Sequence, residues 1–297
     1  MNKDTNQIMA QINAYRMDGI GNNFIIIDRR KENIVLSKDK IVKLSKNKIF
    51  TFDQLITLEK EVLRTNVQDE KLIYGPNPIR IFNPNGEEVA ACGNGSRCVA
   101  WLIHRENKKK KIQITTKERI LNAEIMGDKN VKLHMGRYKH RWDEIPLSKE
   151  MNPQEVKIDF LEKEYGYGHA INIGNPHIVF FVEDCLKVNI KDLGPKIENH
   201  KFFPEKTNVT FAQIIDKFTI KANVWERGAG QTKACGTAAC ATAVAAWNRG
   251  LTTNHVSIIF SKGVLVIKFG GTYDNKFEEL VTMRGEVSDI EKIKIDI

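Results

Sequence analysis

The feature that most constrains this chain is a long internal repeat, in which each half contains the tripeptide Ala-Cys-Gly. The tripeptides occur in "AACGNGSRC" and "TKACGTAAC", with cysteines Cys92 and Cys235. In each copy a β-type stretch runs into a glycine-containing turn, then into the tripeptide, and a helical pattern follows. A repeat of this length predicts two units of similar structure, each with a cysteine at the start of a helix.

Other segments repeat in the same order and at similar spacing. "MDGIGNNFIIID" and "INIGNPHIVFFVED" each place Gly-Asn before a strand-like run, and Gln54 and Asn208 follow at comparable distances. Asn83 precedes Cys92 by nine positions, as Glu226 precedes Cys235. The repeat therefore extends well beyond the cysteines.

The helical and strand-like patterns predict an α+β fold with two pseudo-symmetric domains. After Cys92, Val99, Leu102 and Ile103 fall on one helical face, whereas the Ala-rich helix after Cys235 suits close packing on all sides and a stop at Gly250. Most remaining segments are short runs rich in Ile, Val and Thr, typical of strands. We expect each domain to be a curved, mostly antiparallel β-sheet wrapped around a central helix.

Domain boundaries follow from the repeat. The expected N-terminal domain covers residues 1–136, with residues 285–297 returning to its sheet, and the expected C-terminal domain covers residues 137–284. The linkers are placed near Met135-Gly136 and near Met283-Arg284-Gly285.

A cysteine at a helix start has a specific chemistry. The free N–H groups and partial positive charge of the helix N-terminus bind carboxylates and favour a thiolate. Two such cysteines predict facing helix starts with a carboxylate-bearing substrate between them. One sulfur, as thiolate, would remove a proton from the carbon beside the carboxylate, and the other, as thiol, would protonate the opposite face, inverting the stereocentre.

Two other interpretations of the cysteines are open at this point. A buried cysteine is usually an inert small apolar residue, and we expect this for Cys98, Cys185 and Cys240. A cysteine nucleophile would need a histidine base, for which His177 is a candidate. A nucleophile does not explain a second Cys-Gly, and Gly-Asn-Pro-His has the character of a binding loop.

Composition excludes several other functions. The formal charge of +9 comes partly from Lys108–Lys111, which we expect to be a solvated loop, since no nucleic-acid-binding module accompanies it. The five cysteines show no CxxC spacing and no nearby histidine, so neither structural zinc nor a disulfide framework is expected. The apolar runs are too short to span a membrane and the N-terminus is polar, which indicates a cytoplasmic protein without membrane or nucleic-acid partners.

Together these motifs resemble those of the diaminopimelate epimerase family. "CGNGSRC" and "ERGAGQTKACGTAAC" are similar to that family's two catalytic cysteine motifs. "GIGNNF", "DQL", "RIFNPNGEEVAACGNG", "GNPH" and "TNV" are similar to its substrate-binding segments and occur in the same order. The resemblance covers roughly residues 13 to 290.

The resemblance implies an isomerase that needs no cofactor or metal and interconverts LL- and meso-2,6-diaminopimelate for lysine and peptidoglycan synthesis. Cys92 and Cys235 would be the two acid–base residues, His177 and Glu226 would help set their protonation, and the protein would be a homodimer. The residues that the resemblance assigns to substrate binding are Asn22, Gln54, Asn83, Gly93, Asn94, Asn175, Asn208, Glu226, Arg227, Gly236 and Thr237.

The chain departs from the family pattern at a few positions. The family usually has His and Asp where this chain has Asp18 and Asn23, often has Gly in the stretch that here contains Thr51, and commonly has Glu at Gln231. None of these changes removes a residue assigned to proton transfer.

Two alternative functions fit part of the pattern. A related racemase acting on proline or hydroxyproline would also use two cysteines without pyridoxal phosphate. A non-catalytic amino-acid binder could have kept the cleft, although two intact cysteines argue against it. The Asn and Gln set together with Glu226-Arg227 favours a substrate with two amino-acid ends.

Overall fold

The computed structural model describes residues 11–30, 34–47, 50–60, 64–65, 72–73, 75–90, 92–270 and 280–297. The chain forms two compact units: the first extends to Ile125 and includes Val287–Ile297, and the second is Met126–Glu286. The second unit is thus inserted into the chain of the first.

The helices are α1 (Lys38–Ser45), α2 (Gly93–Asn107), α3 (Ile190–Glu198) and α4 (Gly236–Asn248). The strands are β1 (Gln11–Gly19), β2 (Asn22–Asp28), β3 (Gln54–Leu58), β4 (Arg64–Thr65), β5 (Leu72–Ile73), β6 (Ile79–Phe82), β7 (Glu88–Val89), β8 (Lys111–Thr115), β9 (Ile120–Gly127), β10 (Asn130–Arg137), β11 (His169–Asn172), β12 (Pro176–Phe181), β13 (Asn208–Asp216), β14 (Thr219–Glu226), β15 (Gly230–Thr232), β16 (His255–Phe260), β17 (Gly263–Phe269), β18 (Leu280–Glu286) and β19 (Glu291–Asp296).

The first unit is built on a sheet with strand order β19-β1-β2-β3-β6-β7. Strands β2 and β3 are parallel, which requires a crossover connection, and α1 lies in that connection. The other neighbouring strands are antiparallel. β8 and β9 form an antiparallel pair. Helix α2 packs on β1, β2, β3 and β8, so its buried residues complete the core.

The second unit repeats this arrangement. β11 and β12 are antiparallel, β12 and β13 are parallel with α3 between them, and β13 and β14 are antiparallel. The sheet continues through β16, β17, β18 and β10. Helix α4 contacts seven strands of this unit and is almost entirely buried, which confirms the expected central helix.

The Ala-rich composition of α4 allows this burial. Its residues from Ala238 to Ala246 are all buried, and small side chains let the surrounding strands approach closely. The helix ends at Asn248, and Gly250 follows with a φ of 69°, the left-handed conformation that glycine adopts without strain. The predicted stop at Gly250 is confirmed.

The boundaries between the units differ from those expected. Met135 and Gly136 lie within β10, and Met283 lies opposite Leu133 in the neighbouring strand β18. Gly136 has a φ of 84° at a shift in the β10–β18 register, so this glycine marks a β-bulge rather than a linker. The chain therefore passes from the first unit to the second after Ile125, and not near Met135. It returns to the first unit at Val287, close to the expected residue 285.

Candidate functional site

Cys92 caps the N-terminus of α2. Its backbone is extended, its Sγ accepts a hydrogen bond from Gly95 N at 3.4 Å, and its carbonyl accepts one from Ser96 N at 2.9 Å. The N–H groups of Gly93 and Asn94 have no recorded partner among the described residues, as expected for the first turn of a helix. A carboxylate placed there would receive two backbone hydrogen bonds.

Cys235 occupies the corresponding position at the start of α4. Its backbone is also extended, and its carbonyl accepts from Ala239 N at 3.0 Å. The N–H groups of Gly236 and Thr237 likewise have no recorded partner in the described part of the chain. The sulfur lies 3.4 Å from the Thr237 hydroxyl and also faces the backbone N–H of Ala238 in the first turn of the helix.

At Cys235 the helix start does not lower the pKa of the thiol below its ordinary value. Its side chain is buried, and burial together with the Glu226 carboxylate raises its pKa well above the ordinary value. These two effects outweigh the opposing influence of Thr237 and the helix start. Cys235 is therefore a thiol at neutral pH.

Asn22 and Asn94 form a polar pair beside the start of α2. Asn94 Nδ2 donates to Asn22 Oδ1 at 2.7 Å, while Asn94 Oδ1 accepts from Arg97 Nη2 at 3.0 Å. The side chain of Asn94 is thus used within the protein, which leaves its backbone N–H for a ligand. Gly19 lies against this pair, because a Cβ there would be 3.0 Å from Asn94 O.

Gln54 and Asn83 meet at the same edge of the sheet. Gln54 begins β3 next to Phe24 of β2, Asn83 follows the end of β6, and Gln54 Nε2 donates to Asn83 Oδ1 at 3.2 Å. Because β2 and β3 are parallel and β6 runs opposite, the start of β2 at Asn22 lies at this edge too. The structure therefore brings the predicted residues of the first unit together.

The second unit gathers its predicted residues by the same topology. Asn175 and His177 lie at the start of β12, Asn208 starts the parallel strand β13, and Glu226 ends the antiparallel strand β14. His177 is paired in register with Asn208. Each cluster thus stands at one sheet edge, beside the N-terminus of that unit's buried helix.

Glu226 is held by its neighbours beside Cys235. Thr232 Oγ1 donates to Glu226 Oε1 at 2.5 Å, and the Cys235 side chain hydrogen-bonds the same carboxylate. Burial raises the pKa of Glu226 above its ordinary value, although these two hydrogen bonds oppose the increase. A carboxylate with a raised pKa beside a thiol can exchange a proton with it.

Arg227 and Asn208 are linked through the backbone. Asn208 Oδ1 accepts from Arg227 N at 3.0 Å, and Asn208 Nδ2 donates to Pro176 O at 2.9 Å. The Arg227 guanidinium donates through Nη1 to Glu205 O at 2.8 Å, so its remaining N–H groups can reach a ligand. Asn208 therefore fixes two loops to each other and keeps one N–H for binding.

His177 is fully buried and neutral. Its Nε2 lies 2.9 Å from Asn175 Oδ1, and burial together with the positive charge of Arg227 lowers its pKa to about 3. Its Nδ1 is buried and has no hydrogen-bond partner among the residues that the structure describes. His177 therefore does not supply a positive charge at neutral pH.

Sequence reasoning missed three residues that support these clusters: Arg97, Glu198 and Thr232. Arg97 is fully buried in α2 and orients Asn94, Thr232 orients Glu226, and Glu198 contacts the turn after β14. None of them has a counterpart in the repeat. A charged residue within the mostly apolar face of α2 is the one signal that could have singled out Arg97.

The other cysteines and the lysine run behave as expected. Cys98, Cys185 and Cys240 are fully buried, and burial raises the pKa of Cys98 and Cys185, in keeping with inert core thiols. Lys108–Lys110 are exposed in the turn between α2 and β8, which confirms a solvated loop there, and Lys111, also exposed, begins β8.

Within the described residues, no helix combines the length and hydrophobicity that a membrane span requires. The same residues contain no group of three or more His, Cys, Asp or Glu side chains arranged to hold a metal ion.

Comparison with known proteins identifies the family. The sequence profile described as diaminopimelate epimerase matches residues 14–141 and 169–289. The chain is 44% identical over 290 residues to the diaminopimelate epimerase of Pelagibacter ubique (strain HTCC1062), covering 96% of this chain and 99% of that protein.

Solved structures support the fold. A phenazine biosynthesis protein of the PhzF family from Bacillus anthracis has a TM-score of 0.65 at 16% identity, covering 97% of this chain and 100% of that chain. A hydroxyproline epimerase from Agrobacterium vitis, with bound trans-4-OH-L-proline, has a TM-score of 0.59 at 12% identity, covering 97% and 93%. At these identities the likeness concerns the fold alone, and it confirms the two-domain α+β class.

Proposed function

The chain belongs to the diaminopimelate epimerase family, and from this we propose that it interconverts LL- and meso-2,6-diaminopimelate without a cofactor. The observation that carries the proposal is the pair of N-capping cysteines, each followed by two backbone N–H groups with no recorded partner in the described part of the chain. Each offers a sulfur for proton transfer beside donors for a carboxylate.

The proposed reaction is two proton transfers at one α-carbon. In the direction that starts from the resting enzyme, the Cys92 sulfur acts as the base and takes the α-proton. The Cys235 thiol then donates its proton to the opposite face of the same carbon, and the electron pair left by the first transfer forms the new C–H bond. The product leaves Cys92 as thiol and Cys235 as thiolate, which is the starting state for the reverse direction.

The raised pKa of Cys235 supports this assignment of the resting state. A buried thiol next to Glu226 holds its proton at neutral pH, so it is ready to act as the acid. The Glu226 carboxylate can accept that proton when Cys235 has to act as the base. The helix-start N–H groups stabilise negative charge that develops on the substrate carboxylate as the α-proton leaves.

Binding of the remote end would determine which isomer is accepted. Arg227 has guanidinium N–H groups left after its bond to Glu205 O, and these suit bidentate contact with a carboxylate. The amides of Asn22, Gln54, Asn83, Asn175 and Asn208 can act as donors and acceptors for ammonium and carboxylate groups. We propose that they bind the two amino-acid ends of the substrate.

One assay tests the function. Purified protein is incubated with LL-diaminopimelate in deuterated water without pyridoxal phosphate, and both meso product and α-deuterium are followed. The proposal expects both, and their absence would contradict it. Turnover of L-proline or trans-4-hydroxy-L-proline in place of diaminopimelate would favour the related racemase, while binding without deuterium uptake would favour a non-catalytic binder.

A cytoplasmic location and a homodimer are part of the same proposal, and both follow from the family. The oligomeric state is tested by light scattering coupled to size-exclusion chromatography. A mass near twice 33.9 kDa is expected, and a mass of a single chain at working concentration would contradict the homodimer.

A further inference from the structure

Glu198, the last residue of α3, is a buried carboxylate, only 5% exposed. Its Oε2 accepts from Trp225 Nε1 at 2.7 Å, and its Oε1 accepts from Gly228 N at 3.0 Å. Both oxygens are thus used by neutral donors. Among the described residues, no lysine or arginine forms an ion pair with it.

A buried carboxylate without a cation is expensive to desolvate, so its presence calls for a geometric role. The two donors come from residues on either side of Glu226-Arg227, and the turn closes with Ala229 N donating to Glu226 O at 3.1 Å. One side chain therefore fixes the chain before and after the two residues assigned to proton transfer and carboxylate binding.

Packing of α3 holds the carboxylate in place. A Cβ at Gly194 would lie 2.5 Å from Trp225 Cγ, so the helix backbone rests directly on the indole ring. The indole in turn points its N–H at Glu198, one turn further along the same helix. The direction of Glu198 is therefore determined by the helix rather than by solvent.

Glu226 depends on this arrangement for its position next to Cys235. Its carboxylate meets Thr232 Oγ1 and the Cys235 side chain, and both contacts require the end of β14 to keep its direction. Asn208 fixes Arg227 N from the other side. Loss of Glu198 would release Gly228 N and the indole N–H, and the turn could rotate away from Cys235.

We infer that Glu198 is a positioning residue, which fixes the turn Trp225–Gly228 so that the Glu226 carboxylate faces Cys235. This inference rests on the proposed function for its catalytic consequence. The placement of Glu226 beside Cys235 can be measured without substrate.

The variant Glu198→Gln changes the hydrogen bonds of this side chain while keeping its shape. Gln has nearly the same size but carries one acceptor oxygen and one donor NH2 group. Either the Trp225 indole N–H or the Gly228 N–H would therefore face the NH2 group instead of an acceptor. Trp225→Phe removes the indole donor and keeps a ring over Gly194. In the double variant, the Gln oxygen can turn to Gly228 N without opposing a second donor.

The experiment measures the pH dependence of Cys235 alkylation by iodoacetamide, with peptide mapping by mass spectrometry. Because the Glu226 charge raises the pKa of Cys235, its displacement in Glu198→Gln should move the midpoint of alkylation down by about one pH unit. Cys92, mapped in the same samples, should keep its wild-type profile. The kcat for LL-diaminopimelate should fall about 10- to 100-fold, and the double variant should lose less than the two single losses combined.

Controls separate positioning from general destabilisation. Asp192→Asn alters a carboxylate on the same helix that pairs with Lys196 at the surface, and it should leave both profiles unchanged. Each variant is first shown to unfold cooperatively. If Glu198→Gln does not fold, Trp225→Phe carries the test, with a shift in the same direction expected.

The outcomes distinguish this inference from the proposed function. A folded Glu198→Gln or, in its place, Trp225→Phe with a wild-type Cys235 profile would overturn the positioning role, even if the wild type is an active epimerase. A shifted profile in a protein that does not epimerise diaminopimelate would support the positioning role and contradict the proposed function.

Discussion

Cys92 and Cys235 hold equivalent positions on two helices but have different surroundings. Cys92 is partly exposed and accepts a hydrogen bond from its helix, whereas Cys235 is buried against Glu226. The same residue type, cysteine, therefore supplies two acid–base groups with different surroundings. The difference comes from burial and one carboxylate, which act on the pKa more strongly than the helix start does for Cys235.

Serine variants of the two cysteines test this division of work. A hydroxyl is a poor base, so Cys235→Ser and Cys92→Ser should each lose more than 99% of epimerisation, on the order of 3 kcal/mol in the barrier. Each should still eliminate halide from a β-halo diaminopimelate, because elimination needs only the first proton abstraction. The two variants should accept opposite isomers, measured as halide release.

The halide-release experiment also has an outcome that would contradict the division of work and a matched control. Halide release from the same isomer by both serine variants would mean that one cysteine does all the abstraction. Cys98→Ala and Cys240→Ala change buried thiols outside the proposed reaction. They should keep kcat and lose only about 1–3 kcal/mol of unfolding free energy.

Two departures from the family pattern are coupled in the structure. Asp18 and Asn23 are direct cross-strand partners in the β1–β2 hairpin. Asp18 Oδ1 accepts from Gly21 N at 2.7 Å and so stabilises the turn that leads to Asn22. With Asp at position 18, the family's usual Asp at position 23 would place two like charges opposite each other, which destabilises a sheet. Asn23 removes that repulsion.

Gln231 also has a structural reason. Its Nε2 donates to Asn223 Oδ1 at 3.0 Å, while Asn223 Nδ2 donates to Cys185 O at 3.1 Å. In Gln231→Glu the carboxylate would face an acceptor, and a flipped Asn223 would oppose Cys185 O. We expect a loss of about 1 kcal/mol in unfolding free energy, measured by urea denaturation, with unchanged kcat.

A matched control exists for this variant. Gln113 Nε2 makes a similar bond to Asn122 Oδ1 at 3.0 Å, but within the described residues the Asn122 side chain has no second bond that would prevent its amide from turning. Gln113→Glu should therefore cost little. Equal losses in the two variants would show that the bond network around Asn223 does not explain Gln231.

At the scale of elements, α3 and β14 fit together through one glycine. Gly194 lies inside a helix, where Ala normally stabilises by about 1 kcal/mol, although the following Pro195 reduces that gain. Here the added methyl would meet the Trp225 ring at 2.5 Å and push the helix away from the strand. Gly194→Ala should instead lower the unfolding free energy by about 1–3 kcal/mol, measured by urea denaturation.

Gly127→Ala is the control, because a Cβ at Gly127 meets nothing within 4 Å. Its unfolding free energy should change by less than about 0.5 kcal/mol. A stabilised Gly194→Ala would show that α3 can shift without cost, and the close packing on Trp225 would lose its importance.

Helices and strands with a repeated sequence pattern could be predicted from the sequence. The bulges and long-range pairings that hold them in place could not. The helices after Cys92 and Cys235 and the strands around them follow from periodicity and from the recurrence of Ala-Cys-Gly. Gly136 was assigned to a linker because a glycine between strand-like runs has the same sequence signature in a linker and in a bulge. Sheet pairing decides between them, and pairing of β10 with β18 is not local.

The residues of the candidate site also fall into those that could be predicted from the sequence and those that could not. The placement of Cys92 and Cys235 at helix starts and of Asn208 at a strand start could be predicted, because the motifs around them are specific. Glu198 could not, because its role depends on an indole and a backbone N–H that lie far along the sequence. The raised pKa of Cys235 also could not be predicted, because burial is a property of the folded unit.

At the scale of the whole molecule, two buried histidines make stability depend on pH. Burial is the largest cause that lowers the pKa of His177 to about 3 and that of His169 to about 4, from an ordinary value of 6.5. Between pH 6.5 and 4 the unfolded chain binds these protons and the folded chain does not. Stability should therefore be lost as pH falls through this range, by up to about 1.4 kcal/mol per pH unit for each histidine.

His169→Leu tests the prediction, because both ring nitrogens of His169 are buried with no hydrogen-bond partner in the described part of the chain, and the residue lies outside the proposed reaction. Urea midpoints at pH 7.5 and pH 5 should lie closer together in the variant than in the wild type. Equal pH dependence in both proteins would mean that His169 is not neutral in the folded state at pH 5.

The first unit depends on residues from beyond the second unit. β19 pairs antiparallel with β1, and Ile293 and Ile295 join the first unit's core. A chain ending at Val287 should lose about 3–6 kcal/mol from the burial of these two side chains alone. Limited proteolysis should then cut the first unit faster, while a chain ending at Asp296 should resist as the full chain does. Equal resistance of the chain ending at Val287 would contradict this dependence.

This pairing also bears on how the protein is made. During translation the ribosome delivers the whole inserted unit before the strand that completes the unit around it. Until then β1 keeps an open edge, a site at which nascent chains can pair with one another. The long separation between β1 and β19 slows the closing step. Folding of the inserted unit as soon as it is synthesised shortens the effective path between them, so the order of synthesis favours completion of the first unit's sheet last.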